Sequence, residues 1–109
     1  MSARREPVDT PDANVPLVRA LLVDAAAAGC AARVVSAAAR DWASATFVGA
    51  RHRIVIAVTG EGADGWIDGL PEAELPLWRH IVADLSIDAV VVTDDGRHVT
   101  IAALTLVAA

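Results

Sequence analysis

The dipeptide Asp95-Gly96 separates two runs of alternating apolar residues, and this arrangement constrains the fold more than any other feature of the chain. Asp-Gly strongly favours a two-residue β-hairpin turn. In the run 81–91 every second residue is apolar, a better match to a strand than the four helix-spaced residues within 75–85. We therefore predict a strand over 75–92 and a hairpin. The predicted register sets Val92 opposite Val99, Val90 opposite Ile101 and Ile87 opposite Leu104.

A helix is predicted before this hairpin, near the N-terminus. Asn14 is a typical N-cap, and Pro16 is tolerated in a first helical turn. Apolar residues at helical spacing follow over 15–28. Gly29 accepts a left-handed conformation and is expected to end the helix.

The middle of the chain is predicted to be extended. Residues 31–39 alternate weakly, so a helix remains an alternative there, whereas 53–59 is a β-branched run typical of a buried strand. Gly49-Ala50 is expected to form either a turn or a bulge. The sequence thus predicts an α+β fold, with an N-terminal helix packed on a roughly four-stranded antiparallel sheet. Residues 1–13 are expected to be a flexible tail, and 14–109 a single domain.

This order of elements resembles the architecture of cystatin-like folds, in which an antiparallel meander wraps a helix. The resemblance covers residues 15–107 and includes no shared motif. Such folds occur in binding proteins and in enzymes, so it implies no function.

The composition excludes several chemistries. All nine basic residues of the chain are arginine and the net charge is −5. Without lysine there is no Schiff-base amine and no phosphate-loop lysine. The acidic balance disfavours nucleic acid as a partner. Cys30 is the only cysteine, which rules out an intrachain disulfide and a cysteine zinc cage. We predict no metal and no cofactor.

A cytoplasmic, non-membrane protein is expected. Arg4 and Arg5 before an apolar stretch imitate an export signal, but acidic residues and Arg19 interrupt the pattern. The apolar stretch 99–109 is too short to span a bilayer.

The predicted sheet has more apolar surface than one helix covers. The residues left without cover are Val90, Val92, Val99 and Ile101. Because exposed apolar patches usually mark interfaces, we expect a homodimer through the sheet surface or a strand edge. A second helix at 72–84, the tail or sheet curvature is the alternative cover.

Arginines give the first candidate site. Arg51 and Arg53 share one face of a predicted strand, where guanidinium groups can hold a carboxylate or phosphate. Arg40 and Trp42 are expected to complete a shallow anion pocket, and Trp66 to close over it from a glycine-rich loop. The alternatives are a solvated strand face, arginines paired with the acidic loop 61–74, and a tryptophan that anchors the loop to the core.

Histidines give a second candidate site. His80 and Asp84 form an acid–base pair if their segment is helical, whereas in a regular strand they share a face but lie too far apart to touch. His52 is expected near either residue by cross-strand pairing. Hydrogen-bonded structural histidines are the alternative.

The glycine-rich segment 60–65 matches G-x-G-x-x-G, a pattern of dinucleotide-binding sites. Gly69 and Pro71 argue against the helix that such a site needs, and Glu61 and Asp64 repel phosphate. We therefore predict an acidic loop over 60–74.

Three functions remain open. The sequence favours a non-enzymatic dimeric binding or interaction protein, with a small anion as the candidate ligand. The alternatives are a small enzyme using the histidine–aspartate pair, and a structural assembly subunit.

Overall fold

The computed structural model of the chain describes residues 9–108, with the side chains of residues 14–108. Two helices and four strands are found within that part of the chain. They are α1 (Asp9–Ala27), β1 (Ala31–Ala43), β2 (Val48–Thr59), α2 (Ala63–Gly69), β3 (His80–Val92) and β4 (Arg97–Val107), with a 3-10 turn at Leu70–Glu72. The fold is α+β, and the prediction of a helix followed by four strands is confirmed.

Helix α1 begins earlier than its sequence predicts. It starts at Asp9, so Asn14 is an interior residue of the helix and not its N-cap. Pro16 likewise lies inside the helix, where it cannot donate a backbone hydrogen bond. Residues 1–8 of the predicted flexible tail lie outside the described residues.

The end of α1 follows its prediction. Gly29 adopts the left-handed conformation, with φ of 84°. The Cys30 amide then donates a 2.9 Å hydrogen bond to the carbonyl of Ala25, which closes the last turn of the helix. The chain thereby reverses directly into β1.

The four strands form one antiparallel sheet in the order β1-β2-β4-β3. Strands β1 and β2 form one hairpin, β3 and β4 form another, and β2 pairs with β4 at the centre. Strands β1 and β3 are therefore the two edges. A short loop joins β1 to β2 at Ser44–Phe47, where the Ser44 amide donates to the Phe47 carbonyl at 2.8 Å.

Gly49-Ala50 is neither a turn nor a bulge but a regular part of β2. Glycine is required at position 49 because a Cβ there would overlap the Thr105 carbonyl oxygen of β4. The close approach of the two central strands explains a residue that the sequence had suggested for a turn.

The sheet has a covered face, here called the inner face, and an open face, here called the outer face. On the inner face Leu17 and Leu21 of α1 meet fully buried aliphatic side chains of the two central strands. These side chains are Ile54, Ile56, Val58, Val99 and Ile101. Each contributes about 1.5–3 kcal/mol by burial. Neither helix found among the described residues packs on the outer face.

The β3–β4 hairpin has a different register from the predicted one. Its loop spans four residues, Thr93–Gly96, and the Thr93 amide donates to the Gly96 carbonyl at 2.9 Å. Val90 consequently lies opposite Val99, and Ile87 opposite Ile101. Compared with a two-residue turn, the four-residue loop shifts the pairing of every β3 residue along β4.

This register changes the apolar patch that the sequence predicts. Val99 and Ile101 are fully buried, so they do not belong to an uncovered surface. Val90 and Val92 stay exposed, at 44% and 69%. Of the predicted patch, only Val90 and Val92, at the end of edge strand β3, are left uncovered.

The predicted acidic loop 60–74 contains helix α2 and the 3-10 turn. Gly65 and Gly69 are tolerated in α2 because Trp66, Ile67 and Leu70 are buried against the core. The second helix suggested for 72–84 does not form, since β3 begins at His80. Residues 75–79 lead into that strand.

Candidate functional site

The outer face carries the predicted arginine cluster. Arg40 lies directly opposite Arg51 in the β1–β2 ladder, and Ala38 lies opposite Arg53. Side chains of directly paired residues project from the same face of a sheet. All three arginines thus border one shallow groove of about 400 Å³ on that face.

Asp84 and Ser86 of β3 form the far side of this groove, with Ala102 of β4 between Arg53 and Ser86. Their place follows from register, since Asp84 pairs with Leu104 and Ser86 with Ala102. The small side chain of Ala102 leaves the groove open between Arg53 and Ser86. The groove therefore runs across all four strands.

Two of the three arginines have no carboxylate partner among the side chains of residues 14–108. Arg53 donates to Asp88 at 3.3 Å, an exposed pair worth less than about 1 kcal/mol. Arg40 and Arg51 face each other as like charges, an arrangement that destabilises a sheet. An anion between them would relieve that repulsion.

Trp42 and Trp66 lie on opposite faces of the sheet. Trp42 pairs with Gly49, which places it on the outer face two residues from Arg40. Trp66 is buried on the inner side, and its Nε1 donates a 2.8 Å hydrogen bond to Asp24 of α1. Trp66 thus anchors α2 to α1 and does not close over the arginines.

His52 lies in β2 between the arginines in sequence, yet it points to the inner face. Its side chain is only 4% exposed. The Nδ1–H donates to the Asn14 side-chain oxygen at 2.8 Å, and Nε2 accepts the Thr105 hydroxyl at 2.8 Å. The amide oxygen of Asn14 can only accept, so Nδ1 is the ring nitrogen that carries the proton of the neutral imidazole. Asn14, His52 and Thr105 are here called the buried triad.

Burial and, to a smaller extent, repulsion from His80 together lower the pKa of the His52 imidazole from its ordinary 6.5 to about 4. Both ring nitrogens are already engaged. The triad joins α1 to both central strands, which is a structural role.

The second candidate pair, His80 and Asp84, does not come together. A bulge between Val82 and Asp84 shifts the phase of β3 by one residue. His80 consequently projects on the inner side, where Nδ1 contacts the Trp78 carbonyl at 3.0 Å, whereas Asp84 projects on the outer face. No hydrogen bond joins the two side chains.

The glycine-rich segment 60–65 does precede a helix, contrary to the expectation that none follows. Helix α2 has only seven residues, and Asp64 stands in its first turn. Asp64 accepts two hydrogen bonds from Arg97, at 3.1 and 3.3 Å. The carboxylate there repels phosphate, and its partner is an arginine of β4 and not one of the predicted cluster.

Sequence reasoning did not find Asp88, Ser86, Asn14 or Thr105 in these roles. Asn14 carried a usable signal, because it lies seven residues before Leu21 and therefore on the buried stripe of α1. Asp88, the partner of Arg53, carried no such signal, because the bulge beside it requires no particular residue type.

Comparison with protein-family models, curated proteins and solved structures gave no match. Among the described residues, no group of three or more His, Cys, Asp or Glu side chains is placed to hold a metal ion. None of the helices found there has the length and apolar character needed to cross a membrane.

Proposed function

We propose that the protein is a non-enzymatic binding protein that holds a small anion, a carboxylate or a phosphate, in the outer-face groove. The observation that carries the proposal is the register of Arg40 opposite Arg51, with neither guanidinium paired to a described carboxylate. Guanidinium forks bind such anions through paired, charge-assisted hydrogen bonds. Trp42 on the same face supplies a neighbouring apolar wall.

Inorganic phosphate is the simplest probe of this site. Calorimetric titration at low ionic strength should give a dissociation constant in the millimolar range, and Arg51→Gln should weaken binding at least tenfold, as expected for the loss of about 1.4 kcal/mol. Arg33→Gln is the matched control, because Arg33 lies on β1 and the same face but outside the groove. Equal losses in both variants, or no binding by the unaltered protein, would contradict the proposal.

The proposal includes a homodimer formed through the edge of β3. Val90, Val91 and Val92 are exposed at this edge, beyond the bulge near Asp88 and without a charge or proline among them. An exposed apolar strand edge is a template for pairing with another strand. Two copies related by a twofold axis would pair these edges antiparallel, which leaves both outer-face grooves open.

Sedimentation velocity over a wide concentration range tests this dimer. The unaltered protein should sediment as a dimer, and Val91→Lys should give a monomer because a charge blocks edge pairing. Val23→Lys, at a 65% exposed apolar position on α1, should remain dimeric. An unaltered protein that stays monomeric at hundreds of micromolar would overturn this part of the proposal.

We propose that the protein acts in the cytoplasm. Cys30 is a buried free thiol, which suits a reducing compartment.

A further inference from the structure

One cross-strand row of the outer face carries opposite charges at its two ends. Arg40, Arg51, Leu104 and Asp84 are successive partners across β1, β2, β4 and β3. Neighbouring strands lie about 4.8 Å apart, so the Cα atoms of Arg51 and Asp84 are separated by about 10 Å. Both ends of the row line the same groove.

The charges at the two ends are available to a ligand. Arg53 and Asp88 neutralise each other, whereas Arg40, Arg51 and Asp84 have no ion-pair partner among the side chains of residues 14–108. Asp84 would repel a second anionic group and attract a cation. The Ser86 side chain lies beside it in the groove and adds a hydroxyl.

The space between the two ends is suited to a short linear molecule. Leu104 lies between Arg51 and Asp84 in this row, and Ala102 lies between Arg53 and Ser86 in the next row. The groove passes over the short side chain of Ala102. A groove of about 400 Å³ lies within the size range of sites that hold small molecules. The arrangement separates two charges across uncharged side chains.

We propose that the ligand is a small zwitterion, with a carboxylate or phosphate held by Arg40 and Arg51 and a primary ammonium held by Asp84. This inference rests on the proposed anion-binding function and adds the second charge of the ligand. A simple anion contacts only the arginine end of the groove. A simple amine contacts Asp84 but leaves Arg40 and Arg51 without an anionic partner. The zwitterion satisfies both ends at once.

Three probes with the same carbon chain test the inference: 6-aminohexanoate, hexanoate and hexylamine. In calorimetric titrations 6-aminohexanoate should bind at least tenfold more tightly than hexanoate, and hexylamine should not bind. Asp84→Asn should remove the preference for 6-aminohexanoate while leaving hexanoate binding intact. Asp68→Asn, a change of the same kind at an exposed position on α2, should keep the preference.

The outcomes separate this inference from the proposed function. If hexanoate binds as well as 6-aminohexanoate, the zwitterion is excluded and anion binding stands. If phosphate and both carboxylates fail to bind, the proposed function fails, and the inference with it. If Asp84→Asn abolishes a dimer and changes no probe affinity, Asp84 faces a second copy of the chain, which also overturns the inference.

Discussion

Lowering the pH from 7 to 4 should remove about 3 kcal/mol from the free energy of unfolding through His52 alone. The pKa of this imidazole is about 4 in the folded protein, against an ordinary value of 6.5. The unfolded chain therefore takes up the proton first as the pH falls, and stability present above pH 6.5 is lost down to about pH 4. About 2 kcal/mol of this loss should already appear by pH 5.

Urea unfolding at a series of pH values measures this effect. His52→Gln keeps a hydrogen-bonding side chain that does not titrate, so its stability between pH 7 and 5 should fall by about 2 kcal/mol less than that of the unaltered protein. His98→Gln, which changes a histidine outside the triad, should keep the full loss. If His52→Gln and the unaltered protein lose stability in parallel, the buried triad does not hold a neutral imidazole.

Replacing Ile54 with alanine should cost about 3–4 kcal/mol, a large part of the 5–15 kcal/mol that stabilises a typical domain. Ile54 is fully buried on the inner face and lies opposite Ile101, which is also fully buried. The change removes apolar contacts and leaves a cavity in the layer between α1 and the sheet.

Val55→Ala is the matched control, because Val55 is the next residue of β2 and lies half-buried on the outer face. It should cost less than about 1.5 kcal/mol, since the outer face has no layer packed on it. Guanidinium unfolding of the two variants gives both values. Equal costs would mean that something covers both faces of the sheet.

The strands could be predicted because the β-branched run 53–59 reflects burial directly and the alternation in 81–91 is typical of a strand. The alternation did not predict burial in β3, because two bulges divide its apolar residues between the two faces, and the strand begins at His80 and not at residue 75. The hairpin turn was predictable in place but not in length. Its loop is closed by Thr93, whose hydroxyl accepts from the Gly96 amide at 3.1 Å, and Asp95-Gly96 alone does not reveal that contact.

The β-bulges determine which candidate residues lie on the same face of the sheet. A bulge adds one residue to a strand and reverses the facing of all that follow, yet it requires no particular residue type. The bulge between Val82 and Asp84 therefore separated His80 from Asp84 without any sign in the sequence. The part of the β1–β2 ladder that lies beyond the β1 bulge near Val35 is regular. It holds Arg40, Arg51 and Arg53, so their common face was predictable.

Helix α1 shows why local signals failed at its start. Asn14 and Pro16 are typical of a first turn, but burial of Leu17 and Leu21 and the hydrogen bond from His52 to Asn14 come from the tertiary fold. Helix α2 has seven residues, too few for a periodic pattern to stand out.

The open outer face, at Arg40 and Arg51, is the proposed binding surface. Recording backbone amide NMR shifts during a phosphate titration tests it residue by residue. We expect saturable shifts concentrated at positions 38–42 and 49–53, with little change in α1 and α2, and their disappearance in Arg51→Gln. Saturable shifts centred on the helices, or none at any position, would show that the outer face is not the binding surface.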